Sequence, residues 1–162
     1  RRDGLLDDSN PFLLEVPALI QEKYAESLIP IVQKQGWDYA TFYFEFWGEN
    51  SFAGSHQVEP HTVTLFDVAP FKKGFLEPHV FLDVFGHLDT AKLLVHAPFT
   101  SEVAEQVTNS TLEGMTFEGV VCKGYINRKT GIPYMLKWKS QAWLDRLKQV
   151  CKGDVAKFKL LQ

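Results

Sequence analysis

The sequence predicts an α+β domain with largely antiparallel sheets and flanking helices. Helical and strand-like segments follow one another without the regular alternation of strand and crossover helix that produces a parallel sheet. Hydrophobic residues make up 45% of the 162-residue chain and aromatic residues 14%, a composition typical of a folded protein with a substantial core. We therefore expect a single domain spanning residues 1–162, without repeats or an internal linker.

The first half of the chain predicts two helices and two strands. Between residues 17 and 35 apolar side chains recur at helical spacing, and Gly36 ends the segment. The aromatic-rich segment 39–47 predicts a buried strand, and residues 62–68 predict a second strand after a turn-rich loop. A turn then leads into a helix around residues 80–85.

The second half predicts a short strand, a capped helix, a hairpin and a final helix with a basic tail. The capped helix begins at Thr100 or Ser101, whose hydroxyl groups favour the helix N-terminus. The expected ranges are a strand near 93–96, a helix to about 108, strands at 116–125 and 133–139 joined through 127–131, and a helix at 141–151.

Charge and cysteine content narrow the functional classes. A net charge of −3 argues against non-specific coating of nucleic acid but leaves room for a local basic groove. Cys122 and Cys151 show no metal-type clustering, and we expect both to be reduced thiols. His56 and His61 lack a third ligand at suitable spacing and are expected to form surface hydrogen bonds.

With no transmembrane-length run or signal-peptide pattern, we expect a cytoplasmic protein, in the host cytoplasm if viral, without membrane contact.

The last third of the chain brings a carboxylate and two lysines onto neighbouring strands. Lys137 and Lys139 are two residues apart in a strand and therefore share a face. Two ammonium groups side by side repel each other unless an anion lies between them, which indicates a phosphate site. Glu118, at the start of the preceding strand, suits a metal ion or a sugar hydroxyl.

These two segments resemble motifs IV and V of the covalent nucleotidyltransferases, the superfamily of ATP-dependent ligases and capping enzymes. Residues 118–121 read E-G-V-V, and residues 137–140 read K-W-K-S with an aromatic residue soon after, the form found in RNA ligases. The resemblance implies an ATP-grasp-like adenylation domain that uses ATP with Mg²⁺ or Mn²⁺. It also implies that Lys137 and Lys139 act in catalysis by holding the α-phosphate, and that Glu118 acts in catalysis by placing the metal.

Two upstream segments resemble further nucleotide-binding motifs of the same family. Glu45, inside Phe-Glu-Phe, and Glu49, inside Trp-Gly-Glu, both fit motif III, which implies that one of them contacts the nucleotide. We prefer Glu45, because a carboxylate inside an aromatic strand is costly to bury without a partner or ligand. The alternative is that Glu45 faces water on an edge strand and Glu49 is a loop residue. Phe66 matches the aromatic position of motif IIIa, which implies stacking on adenine, although a Phe in such a strand is more often a core residue.

The beginning of the chain resembles a second basic motif that follows the nucleophilic lysine in RNA ligases. By that resemblance Arg2, in Arg-Asp-Gly, contacts the nucleotide or the nucleic-acid end, and the alternative is a solvated terminus. No K-x-D-G occurs in the 162 residues, and arginine is a poor nucleophile because its guanidinium stays protonated. We therefore expect the nucleophilic lysine upstream of Arg1, in a domain whose N-terminal part is missing here.

The function implied is that of a monomeric ATP-dependent RNA ligase. It joins 5′-phosphate and 3′-hydroxyl RNA ends through lysyl-AMP and adenylated-RNA intermediates. The alternatives are a catalytically silent module that binds nucleotides or RNA ends, and a DNA ligase or capping enzyme. The latter two are less favoured, because they normally carry an OB-fold domain after motif V and this chain stops soon after that motif.

Overall fold

The computed structural model describes residues 14–49, 56 and 58–161, and within them shows a mixed α+β arrangement with two small antiparallel sheets. In chain order the elements are α1 (Val16–Lys34), β1 (Ala40–Trp47), β2 (Thr62–Pro70), α2 (Pro78–Phe85), α3 (Ser101–Thr108), β3 (Gly119–Asn127), β4 (Ile132–Lys139), α4 (Gln141–Cys151) and α5 (Val155–Leu161). The α+β class and the antiparallel pairing are confirmed. The adenylation-domain fold stays a prediction.

One predicted strand is wrong, and one helix was not predicted, because α5 lies in the segment expected to be a basic tail. Residues 93–96 form no strand, and the nearest backbone bridge outside the named strands joins Leu65 to Thr90. Leu93 and Val95 are exposed, so this short apolar run has neither a partner strand nor a core face to pack against. A strand needs at least a partner for its backbone hydrogen bonds.

The described residues divide into two compact units. The first contains residues 14–47 and 60–91, and the second contains residues 48–49, 56, 58–59 and 92–161. Each has a hydrophobic cluster of its own, so each is described by itself.

The core of the first unit lies between β2 and the helices α1 and α2. Val63 and Leu65 face it from alternate positions of β2, but Val68 is also buried, three residues further on. A β-bulge causes this change of face, because Tyr43 pairs with Asp67 while the next β1 residue pairs with Leu65.

Helix α1 is joined to β2 by a buried hydroxyl group. The oxygen of Tyr24 accepts a hydrogen bond from the N–H of Leu65 at 3.2 Å and lies 2.7 Å from the carbonyl oxygen of Asp89. Burial raises the pKa of this phenol, the hydrogen bond from Leu65 opposes that shift, and the charge of Asp89 adds to it. The hydroxyl group is therefore held in its neutral form.

The second unit has a smaller core and an exposed β-hairpin. Trp143, Leu147 and Cys151 repeat along one face of α4 and are buried with Phe117 and Phe158 packed against them. Within the part of the chain that the structure describes, strands β3 and β4 pair only with each other, and side chains on both of their faces are exposed to solvent. This hairpin therefore contributes few side chains to the core of the second unit.

Among the described residues, no helix combines the length and apolar character needed to cross a membrane.

Candidate functional site

The candidate site in the second unit begins with a close approach of two backbone segments. Gly119 pairs with Lys139 and has a φ of 135°, a backbone conformation that residues other than glycine rarely adopt. A Cβ atom on this residue would lie 2.1 Å from the carbonyl oxygen of Trp138. Only glycine fits, and its presence lets Glu118 sit beside the end of β4.

Ser140 holds the same two segments together. Its hydroxyl group, fully buried, donates to the carbonyl oxygen of Phe117 at 2.6 Å and accepts from the N–H of Trp143 at 3.1 Å. Its own N–H donates to the carbonyl oxygen of Glu118 at 3.0 Å. One residue therefore ends β4, caps α4 and anchors the backbone of Glu118.

Glu118 and Lys139 form an ion pair across these segments. The ammonium of Lys139 also lies 4.5 Å from the ring centroid of Trp143, within cation–π range. The side chain of Lys139 is 14% exposed and that of Glu118 is 52% exposed. The ammonium of Lys139 is thus held by contacts with Glu118 and Trp143, while the carboxylate of Glu118 remains open to solvent.

Lys137 is the second cation of the site. It lies opposite Val121 in the ladder and shares a face of β4 with Lys139, as the alternation predicts. Its side chain is exposed, and its ammonium makes no ion pair or hydrogen bond with any described residue. Glu118 therefore supplies an anion for Lys139, whereas the ammonium of Lys137 is open to a ligand.

An open cleft of about 360 Å³ lies against this end of β4. Its volume falls within the range of about 300–1,000 Å³ that is usual for small-molecule sites. The lining residues are Thr108, Lys137, Trp138, Lys139, Gln141 and Leu144.

No protein-family model, no curated protein and no solved structure matches this chain. The chemistry of the cleft has to be inferred from its own residues.

Two of the residues that line the cleft, Trp138 and Gln141, are held by hydrogen bonds from their side chains. The indole N–H of Trp138 donates to the hydroxyl oxygen of Thr108 at 3.0 Å, and that hydroxyl donates to the carbonyl oxygen of Ala104 at 2.8 Å. The amide of Gln141 donates to Asp145 at 2.8 Å. Hydrogen bonds from the side chains of Lys148 and then Gln141 lower the pKa of Asp145, so this carboxylate stays ionised. The rim therefore combines fixed polar groups with an indole.

The oxygen donors available to a metal ion are few. Among the described residues no three His, Cys, Asp or Glu side chains come together in a way that could hold one. Glu118 contributes one carboxylate, half open to solvent. That donor set fits Mg²⁺, which keeps several waters and typically binds one or two carboxylates together with substrate phosphates.

The two histidines that flank Glu59 and Pro60 form hydrogen-bonded pairs, as predicted. His56 lies 2.5 Å from a carboxylate oxygen of Glu59, and His61 pairs with Glu15. The described cysteines, Cys122 and Cys151, are both free thiols. Burial raises the pKa of Cys122, which keeps this thiol protonated at neutral pH.

The other predicted site residues lie elsewhere. Glu45 is exposed in β1 of the first unit, so the cost of burial that favoured it over Glu49 does not apply. Glu49 is exposed in the second unit, where its N–H donates to the carbonyl oxygen of Glu59 at 2.9 Å. Arg2 lies outside the described residues. The choice between the two carboxylates stays open.

Phe66 is half-buried at the bulge of β2, in the first unit. Its ring centroid lies 6.3 Å from that of Tyr43, in a tilted arrangement. It is therefore not one of the fully buried core residues. Bulges often redirect a side chain next to a binding site.

The structure thus brings three predicted residues together, namely Glu118, Lys137 and Lys139. Sequence reasoning missed the structural roles of Ser140 and Gly119. A serine directly before an amphipathic segment is a recognisable helix cap, and the glycine in E-G-V-V marks a close approach of backbone. The bond between Trp138 and Thr108 joins residues thirty positions apart and had no sequence pattern to reveal it.

Proposed function

We propose that the cleft at the end of β4 binds the phosphates of ATP, and that the chain is the nucleotide-binding part of an ATP-dependent RNA ligase. One observation supports this most strongly. Lys137 and Lys139 share a face beside Glu118 on the wall of an open cleft. Two cations and one carboxylate suit a phosphate with an accompanying divalent ion.

The two lysines have different roles in this proposal. Lys137 meets a phosphate oxygen directly, because its exposed ammonium is not engaged by any described residue. Lys139 is held in place by Glu118 and Trp143, so its donors point in a set direction before the ligand arrives. A pre-oriented cation loses little side-chain entropy on binding.

Mg²⁺ fits beside Glu118 in this proposal. One carboxylate oxygen pairs with Lys139, and the exposed remainder of the carboxylate is accessible to the ion. When bound, the ion neutralises phosphate charge. Glu118 then serves both to orient the lysine and to hold the ion near the phosphates.

The remaining contacts to the nucleotide come from the family resemblance. In the same unit as the cleft, Glu49 is one of the two motif III candidates and would contact the ribose or the reacting ends. The 5′-phosphate and 3′-hydroxyl ends of RNA are the proposed substrates. Because no K-x-D-G occurs in the sequence, these residues bind and place ATP rather than form the lysyl-AMP bond.

Calorimetric titration of the 162-residue chain with Mg·ATP tests the proposal. We expect Lys137→Ala to weaken binding by about tenfold or more, since a charge-assisted hydrogen bond contributes about 1.5–3 kcal/mol. Lys157→Ala is the matched control, because this exposed lysine of α5 lies in the same unit outside the cleft. No binding of Mg·ATP, or an equal loss in both variants, would contradict the proposal.

A catalytically silent binding module is the second candidate, favoured by the missing K-x-D-G. Intact-mass measurement after incubation with ATP and Mg²⁺ separates the two functions, if it is made on the protein with any residues that precede Arg1. Covalent AMP on the protein indicates the ligase. Binding of ATP without covalent AMP indicates the silent module.

A further inference from the structure

The hairpin formed by β3 and β4 has a charge opposite to that of the rest of the chain. It contains none of the 20 acidic residues, although the chain as a whole has a net charge of −3. It contains five of the 17 basic residues, namely Lys123, Arg128, Lys129, Lys137 and Lys139. The hairpin is therefore a concentrated basic surface on an acidic protein.

Two large aromatic rings are exposed on the part of the hairpin away from the cleft. Tyr125 is 82% exposed and Tyr134 is 65% exposed. They lie at a β-bulge, because Lys123 pairs with Met135 and Ile126 with Pro133, which leaves Gly124 and Tyr125 opposite Tyr134 alone. Neither ring contributes to a core, and exposed apolar surface of this kind often marks an interaction site.

The position of Tyr134 is constrained by its neighbours. Its hydroxyl oxygen accepts a hydrogen bond from the side-chain amide of Asn127 at 3.2 Å. Its Cβ lies 3.5 Å from the place where a Cβ on Gly124 would be. The ring is therefore oriented on the ribbon while most of its surface stays in solvent.

The turn of the hairpin presents two further cations. The side-chain oxygen of Asn127 accepts from the N–H of Lys129 at 2.9 Å, and its carbonyl oxygen accepts from the N–H of Gly131 at 2.8 Å. Gly131 has a φ of 67°, the left-handed conformation that closes the turn. Arg128 and Lys129 are exposed on this turn, which begins directly after β3, the strand that carries Tyr125.

We propose that the outer half of this hairpin binds a single-stranded stretch of RNA. Bases stack on Tyr125 and Tyr134, and backbone phosphates pair with Arg128 and Lys129. Every base has a flat π face, so such stacking does not depend on sequence, and basic side chains follow the backbone. The choice of RNA over DNA rests on the proposed function. The surface itself rests only on its charge and exposed rings.

An acidic protein partner is the main competitor for this surface. Carboxylates of a partner would match the cations, but they would not use the flat faces of two exposed tyrosines. Single-stranded nucleic acid uses both features together. The combination of rings and cations on one ribbon therefore favours RNA.

Fluorescence anisotropy with a labelled, unstructured oligouridylate tests the proposal on the 162-residue chain. Tyr125→Ala should weaken binding about tenfold, and Tyr125→Phe should bind like the parent because the ring is kept. Tyr134→Ala and Tyr134→Phe form a second matched pair. Circular dichroism and thermal unfolding establish that each variant is folded.

Salt dependence tests the phosphate contacts separately. The double variant Arg128→Gln, Lys129→Gln should reduce the slope of log affinity against log salt by about 1.4, the value for two contacts to a single strand. Lys152→Gln, Lys157→Gln removes the same charge elsewhere in the second unit and should leave the slope unchanged. Equal slopes in both double variants would overturn the proposal.

The outcome is separable from that of the proposed function, because Mg·ATP binding is measured on the same variants. Oligouridylate binding that depends on the hairpin supports the RNA surface even if ATP fails to bind. ATP binding without such RNA binding overturns the surface and leaves the nucleotide site standing. Tighter binding of the matching oligodeoxythymidylate would reject RNA as the preferred strand. A dimer that dissociates on Tyr125→Ala, seen by sedimentation without RNA, would assign the surface to a second copy and overturn the proposal.

Discussion

The two units use their two-stranded sheets in opposite ways. In the first unit, β2 contributes Val63, Leu65 and Val68 to a core that both α1 and α2 cover. In the second unit, the hairpin leaves Tyr125 and Tyr134 in solvent and carries cations along its length. A sheet that builds a core contributes stability, whereas a sheet with both faces open is available for ligands. We therefore expect core changes to act mainly on folding in the first unit, and hairpin changes mainly on binding in the second.

The largest effect is expected from Phe85→Ala in the first unit. The ring of Phe85 is fully buried and contacts the rings of Phe42 and Phe81. Its removal leaves a cavity and should lower the free energy of unfolding by about 3–5 kcal/mol in urea denaturation. Leu136→Ala, on the exposed hairpin, should cost less than about 1 kcal/mol. Comparable losses in the two variants would remove the contrast between the units.

Gly119→Ala should have the next largest effect and should act on both stability and binding. The new Cβ meets the carbonyl oxygen of Trp138, so the two segments must separate, at a cost of about 2–3 kcal/mol. Mg·ATP binding should be lost because Glu118 moves away from Lys139. Gly131→Ala is the control, since it also has a positive φ but has no atom within 4 Å of the added Cβ. It should cost about 1 kcal/mol and leave ATP binding unchanged.

Tyr24→Phe should lower the free energy of unfolding by about 2 kcal/mol, because the buried hydroxyl group loses its hydrogen bonds with the carbonyl oxygen of Val63 and the N–H of Leu65. The same variant also tests how the free energy of unfolding depends on pH. A raised pKa in the folded state means that Tyr24 contributes stability below the pKa of the unfolded phenol, about 10, and that this contribution is lost as pH rises further. Above pH 10 the free energy of unfolding should therefore fall more steeply with pH for the parent chain than for Tyr24→Phe. Parallel curves would show that this phenol does not carry the alkaline loss.

The smallest effects are expected at two helix caps, of which Ser140→Ala should cost about 1–2 kcal/mol. The buried hydroxyl caps α4 and also bonds to Phe117, whereas the exposed cap Thr100 makes a single bond of 3.4 Å to the N–H of Val103. Thr100→Ala should therefore cost less, about 0.5–1 kcal/mol. Hydrogen exchange of the α4 amides reports the first loss, and exchange of the α3 amides reports the second. Greater loss of protection in α3 than in α4 would contradict this ranking.

Local features of this fold were predictable, and contacts between distant segments were not. Helix α4 begins and ends where the sequence predicts, because a serine cap and an apolar period both lie within the segment. The strand expected at 93–96 does not form, since pairing depends on a partner that the segment itself cannot specify. The bulge at Phe66 was missed for the same reason.

In the candidate site, too, local features were predictable and contacts between distant segments were not. Alternation alone placed Lys137 and Lys139 on one face. The ion pair of Lys139 with Glu118 joins residues 21 positions apart and depends on the close approach at Gly119. The sequence therefore identified the charged groups, and the structure showed which carboxylate neutralises which lysine.

Amide NMR spectra of the isotopically labelled chain, titrated with Mg·ATP, test the central claim most directly. If the end of β4 holds the phosphates, the largest shifts should fall on residues 118–119 and 137–140 and on the indole N–H of Trp138. Shifts in α5 and at Cys151, with none at the end of β4, would contradict that assignment. Such a result would place the nucleotide away from the lysine pair.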